Sequence, residues 1–178
     1  MKHISLITIL ILIITSSSNC KKSDLLGDKL PPATQEGKNT CGFLVNGKVW
    51  LPRGDNGYPK LSCYYDETYM GGAFNINGYR YEPGASNSSG FVVAGSNIQT
   101  AGYYKLNITS ATIGEYFGAT GTCIIYNWDD TIPNHNAYLN ITKLDKVNRI
   151  VSGTFEFALA LPGCETIRIT QGRFDMKY

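Results

Sequence analysis

An all-β fold is what this sequence predicts: an antiparallel β-sandwich, with a β-barrel as the alternative. Three observations carry that expectation. From Cys41 onward the apolar residues recur with period two rather than 3.6. Turn residues, Asn-Gly pairs above all, interrupt them at short spacing. Helix-favouring runs of Ala, Glu, Leu and Lys are nearly absent. About ten strands fit between the turns, in one domain over residues 41–178.

Taken in chain order, residues 42–45 and 48–51 flank Asn46-Gly47. Asn-Gly accepts the positive φ of a type I′ turn, so this pair predicts a hairpin. Asn77-Gly78 predicts a second one, between residues 73–76 and 79–81. Tyr104, Leu106 and Ile108 alternate with Lys105, Asn107 and Thr109, although residues 112–117 also admit a short helical turn. The turn 145–148 should join strands 138–144 and 149–159, in which Phe155, Phe157 and Leu159 share one face. Ile167 and Ile169, then Phe174, Met176 and Tyr178, complete the pattern, with Gln171-Gly172 expected to link the last two strands. Larger apolar side chains on one face and mostly polar ones on the other are what half-buried antiparallel strands require.

The region before Cys41 has a different character. Met1-Lys2-His3 is basic, residues 4–14 are apolar apart from Ser5 and Thr8, and residues 15–19 are small and polar. The apolar run is shorter than the roughly 20 residues a membrane span needs. The order instead predicts a leader over residues 1–19, removed ahead of a lipidated Cys20. Diacylglyceryl and N-acyl chains there would hold the protein to a membrane, because several acyl chains anchor stably where one is marginal. The expected location is the cell envelope, anchored at the outer membrane on either its periplasmic or its surface face. Residues 20–40 carry Pro31-Pro32, glycines and many charges without an apolar period, and read as a flexible tether. Setting Cys20 aside leaves Cys41, Cys63, Cys123 and Cys164, an even number that admits one or two disulfides in an oxidising compartment. Their pairing stays open.

Two stretches resemble a family of small Bacteroidetes lipoproteins carrying a domain of unknown function. One runs from Leu30-Pro31-Pro32 through Thr40-Cys41-Gly42-Phe43-Leu44-Val45-Asn46-Gly47-Lys48-Val49-Trp50. The other runs from Leu139-Asn140-Ile141-Thr142 through Ser152-Gly153-Thr154-Phe155 to Gln171-Gly172-Arg173-Phe174-Asp175. Residues 52–133 carry little of the likeness. In the family a cysteine usually follows the glycine after Thr-Phe, whereas here Cys41 precedes Gly42 and Phe43 follows it. The resemblance implies an envelope location and a β-rich domain, and it brings no activity.

Chemistry-bearing patterns are sparse. After the leader there is one histidine, His135, in a loop-like Pro133-Asn134-His135-Asn136 context that suits a solvated side chain. No nucleophile elbow, phosphate-binding loop or spaced set of metal ligands occurs, so no metal or cofactor is expected. The near-neutral charge gives no basic stripe for nucleic acid. Asp66-Glu67 and Asp129-Asp130 are the candidate carboxylates for a hydrolase. Asp55-Asn56-Gly57 lacks the further acids of a calcium loop, and Arg53-Gly54-Asp55 reads as a turn. Tyrosine is enriched, with twelve copies beside Trp50 and Trp128. Tyrosine suits β-sheets by propensity, and its flat apolar ring with a polar tip also suits stacking on sugars or proteins. Tyr65, Tyr79, Tyr81, Tyr103 and Trp128 are the candidate ligand-binding residues. The leading expectation is a non-catalytic envelope module that binds a glycan or a protein. A carboxylate hydrolase and a purely structural envelope protein are the alternatives.

Overall fold

The computed structural model describes residues 28–55, 57–81, 88–105, 113–117, 123, 125–126 and 137–178. Their strands are β1 (Thr40–Val45), β2 (Lys48–Trp50), β3 (Leu61–Asp66), β4 (Ala73–Arg80), β5 (Ser89–Gly95), β6 (Gly102–Lys105), β7 (Ile113–Phe117), β8 (Ile125–Tyr126), β9 (Tyr138–Asp145), β10 (Ile150–Leu159) and β11 (Ile167–Lys177). They pair into two antiparallel sheets, ordered β2-β1-β11-β10-β9-β6 and β3-β4-β5-β7-β8. Neither sheet closes on itself among the described residues, so the architecture is the sandwich and not the barrel. The first and last strands of the domain, β1 and β11, are neighbours. The second sheet is built almost entirely from the middle of the chain.

The period-two pattern turns the large side chains of both sheets inward. Phe43, Phe155 and Phe174 of the first sheet meet Phe91 and Phe74 of the second, with ring centroids 4.9 Å apart for Phe43–Phe91 and 5.5 Å for Phe74–Phe174. Burying a side chain of this size contributes about 1.5–3 kcal/mol. Trp50 stacks on Phe43 at 4.7 Å and donates its indole N–H to Ser89 Oγ across the layers at 2.9 Å. The buried indole nitrogen therefore has a partner.

Turn chemistry explains where the expectations held and where they failed. Asn46 (φ 47°) and Gly47 (φ 81°) make the β1–β2 hairpin as expected. Asn77-Gly78, in contrast, lies inside β4, which runs on to Arg80. Gly78 serves close packing: an added Cβ would stand 2.7 Å from Phe91 Cε1. The real β3–β4 connection is a 3₁₀ turn, Tyr69–Gly71, closed by Gly71 and Gly72 with φ of 67° and 103°. Gln171-Gly172 is likewise no link, because β11 continues through it to Lys177. The register shifts there against both β1 and β10, which marks a bulge, and Gln171 sits at φ 53°. The bulged N–H of Gln171 donates to Glu156 Oε1 at 3.0 Å. Residues 113–117, where the sequence also admits a helical turn, form strand β7.

Cys123 and Cys164 are disulfide-bonded, with Cα atoms 5.8 Å apart. Cys41 and Cys63 are free thiols. Desolvation raises both: Cys63 is pushed up to about 12, and Cys41 is raised further, with Cys63 as a second contributor. The described part of the expected tether, residues 28–39, is bound to the sandwich. Arg53 donates to Asp28 Oδ1 at 2.6 Å. Farther along, the Asp175 carboxylate gathers Thr34 Oγ1 at 2.6 Å and the N–H groups of Glu36, Gly37 and Lys38 at 3.0, 2.7 and 3.2 Å. Ser152 Oγ adds a fifth donor at 2.8 Å. Asp175 is 1% exposed. The strap over residues 34–38 covers this part of the outer face of the first sheet.

Candidate functional site

Alternation along β3 and β4 decides which side chains the second sheet presents to solvent. Cys63, Tyr65, Phe74 and Ile76 pack inward, so Ser62, Tyr64, Asn75, Asn77 and Tyr79 face out. The register places Ser62 opposite Asn77 and Tyr64 opposite Asn75. Ser62 Oγ donates to Asn77 Oδ1 at 2.9 Å, and Asn77 Nδ2 donates to Asn75 Oδ1 at 3.0 Å. A row of hydroxyl and amide groups thus runs across the sheet, with its orientations fixed by mutual bonding.

Tyrosines flank that row. Tyr79 is 48% exposed, Tyr64 52% and Tyr58 73%. Tyr58 is brought alongside by the loop before β3, where Asp55 Oδ1 accepts the N–H of Gly57 at 2.9 Å and Gly57 takes a φ of 83°. Backbone bonds then clamp the loop to β4: Arg53 N–H to Tyr79 O at 3.1 Å, and Tyr79 N–H to Lys60 O at 2.8 Å. Tyr58, Pro59, Ser62, Asn77 and Tyr79 enclose a shallow hollow of about 390 Å³. None of these five side chains is charged. Rings beside fixed amide and hydroxyl groups match a ligand that offers alternating C–H faces and hydroxyls.

A second hollow, of about 350 Å³, lies at the end of the sandwich between the end of β3 and the β9–β10 turn. Its charges are already spoken for. Lys146 Nζ pairs with Glu67 Oε2 at 2.8 Å, which raises the lysine. Arg149 stands 5.6 Å over the Tyr178 ring. Asp66 accepts the Thr68 hydroxyl and N–H, both at 2.8 Å, and the Tyr64 hydroxyl at 3.1 Å. The Thr68 bonds, ahead of those from Tyr69 and Tyr64, hold its carboxyl below the usual range. This acid closes a turn as a bonded anion, and a general acid of a hydrolase needs the opposite, a carboxyl whose proton is held into neutral pH. Among the described residues no cluster of three or more His, Cys, Asp or Glu forms a metal cage.

The residues singled out in the sequence are dispersed. Tyr79 belongs to the uncharged hollow. Tyr65 is 8% exposed, touches the end hollow, and donates its hydroxyl to Ile98 O at 2.8 Å. Tyr81 is half-buried and donates its N–H to Arg53 O at 2.9 Å. Tyr103 is 64% exposed on the first sheet, stacked at 5.0 Å on Tyr138, remote in topology from β4. Its neighbour Tyr104 turns inward and donates to Thr100 O at 2.7 Å, the opposite facing that a strand imposes. Trp128, His135, Asp129, Asp130 and Cys20 lie outside the described residues. Tyr58, Ser62 and Asn75 carry no sequence expectation, Tyr64 enters only as one of the many tyrosines, and Asn77 is expected in a turn rather than in a site. The available signal was the alternation Ser62-Tyr64 and Asn75-Asn77-Tyr79, polar and aromatic residues sharing one strand face.

Comparison with protein-family models, with characterised proteins and with solved structures finds no match to this chain.

Proposed function

We propose that this protein is an exported envelope module, moored through acyl chains on Cys20, that binds neutral glycan on the outer face of β3 and β4 and catalyses no reaction. One observation carries the glycan reading: exposed Tyr58 and Tyr79 line an uncharged hollow together with Ser62 and Asn77, whose hydrogen-bonded row continues along the sheet to Asn75 beside exposed Tyr64. A charged ligand would leave its counter-charge unmatched there. A glycan finds ring faces for its C–H surface and amides for its hydroxyls. The mooring rests on the leader-like residues 1–19, the cysteine that follows, and the lipoprotein resemblance.

Glycan-array binding by the purified full chain tests the reading. Neutral oligosaccharides should bind, and Tyr58→Ala and Tyr79→Ala should each weaken binding about tenfold, roughly 1.4 kcal/mol. Exposed tyrosines lost in this way should alter stability by less than about 0.5 kcal/mol. Binding confined to acidic glycans, or unaffected by both variants, would contradict it. Capture of an envelope protein through the same two tyrosines, with no glycan bound, would favour a protein partner instead.

A further inference from the structure

A third hollow shares no lining residue with the other two. It opens at one edge of the sandwich, where the chain passes from β2 in one sheet to β3 in the other. Its volume is about 270 Å³. Pro31, Leu51, Pro52 and Leu61 form its walls, and buried Cys41 lines it from the core side. The walls stand close to β1 because residue 42 is glycine: a Cβ there would lie 2.6 Å from Leu51 Cδ2 and 2.8 Å from Pro31 Cδ. Leu61 faces inward beside the core, as the alternation with outward Ser62 requires.

Charge at this slot has one sign. Lys29 and Lys60 line it and are both solvent-exposed, and no carboxylate lines it among the described residues. Neither lysine makes an ion pair among the described residues; the nearby Asp28 is engaged by Arg53 and Arg80 instead. An apolar slot between two sheet edges, with two ammonium groups at its exposed rim that pair with no carboxylate among the described residues, fits a molecule that is apolar at one end and anionic at the other. We propose that this slot binds a medium-chain alkyl carboxylate, tail between the β2 and β3 edges and carboxylate between Lys29 and Lys60. The small volume favours a short single chain over a diacyl lipid. The proposal is independent of the glycan reading, since no residue is shared.

Titration calorimetry of the purified full chain with octanoate, kept below its aggregation concentration, tests this, with octanol and octylammonium as probes of the same tail. Octanoate should bind one per chain, about tenfold tighter than octanol, and octylammonium should bind weakest of the three. The double variant Lys29→Glu/Lys60→Glu touches only exposed side chains; it should reverse that order, with octylammonium now favoured. Leu61→Trp should fill the slot and abolish binding of all three, with the fold checked by its far-ultraviolet circular dichroism. Absence of octanoate binding would overturn the proposal. So would octanoate binding no tighter than octanol, or binding that survives both the charge reversal and Leu61→Trp.

Discussion

Asp175 has the facing that strand alternation predicts and a burial that alternation does not predict. Period two sends it to the outer face of β11, between inward Phe174 and Met176, and that is where it points. Its burial comes from a segment that looked like tether, the strap over residues 34–38, whose N–H groups converge on the carboxylate. Burial alone would push its carboxyl up; the hydroxyls of Thr34 and Ser152 and the N–H groups of Glu36 and Gly37 outweigh that and hold it well below the ordinary value of 3.8. Because the folded value lies below the unfolded one, the stabilisation is complete above about pH 4 and is lost as pH falls further, through the folded value. Asp175→Asn should cost about 2–4 kcal/mol at neutral pH, since it leaves buried donors without an anionic acceptor. It should also flatten the acid limb of the stability–pH curve, measured by urea unfolding between pH 2 and 7. An unchanged acid limb would place the strap's attachment elsewhere.

At the scale of elements, the same dipeptide reads differently in different surroundings. Asn46-Gly47 and Asn77-Gly78 carry identical turn chemistry, yet only the first turns. Asn77-Gly78 is flanked by strand-forming residues on both sides, and pairing with β3 and β5 over its whole length keeps it extended. Gly78 and Gly172 are required by neighbours, a fact that local sequence does not carry. The consequence is measurable. Gly47 has open space around it, so Gly47→Ala meets only backbone strain and should cost about 1 kcal/mol. At Gly172 a Cβ would stand 2.5 Å from the backbone oxygen of Phe155, so Gly172→Ala should cost about 3 kcal/mol by thermal or urea unfolding. Equal losses would argue against the bulge. The candidate site was partly legible in the same sense. Tyr79 was visible as an aromatic on a strand, but Tyr58 comes from a loop, and the bonding of Ser62 to Asn77 depends on a β3–β4 register fixed by Gly71-Gly72, which was not recognised as the turn.

At the scale of the whole molecule, the disulfide ties the approach to β8 in the second sheet to the β10–β11 loop in the first, across a sequence separation of 41. Chain-entropy reasoning for a loop of that length gives about 4 kcal/mol, so reduction, or Cys123→Ala with Cys164→Ala, should lower stability by roughly that amount. Unfolding the purified protein without reductant and titrating its thiols then tests the mooring. Cys41 and Cys63 should be the two reactive thiols, because diacylglyceryl transfer to the Cys20 sulfur would convert that thiol to a thioether. A third reactive thiol, from Cys20, would rule out the anchor. The most direct measurement of the central claim is residue-resolved: amide chemical-shift mapping of the full chain against neutral hexasaccharides of β-glucan, xylan, mannan and chitin type. The glycan face predicts that at least one shifts Ser62, Tyr64, Asn75, Asn77 and Tyr79 together, saturably. Shifts clustered instead at Tyr65, Lys146 and Arg149, or none with any of the four, would contradict it.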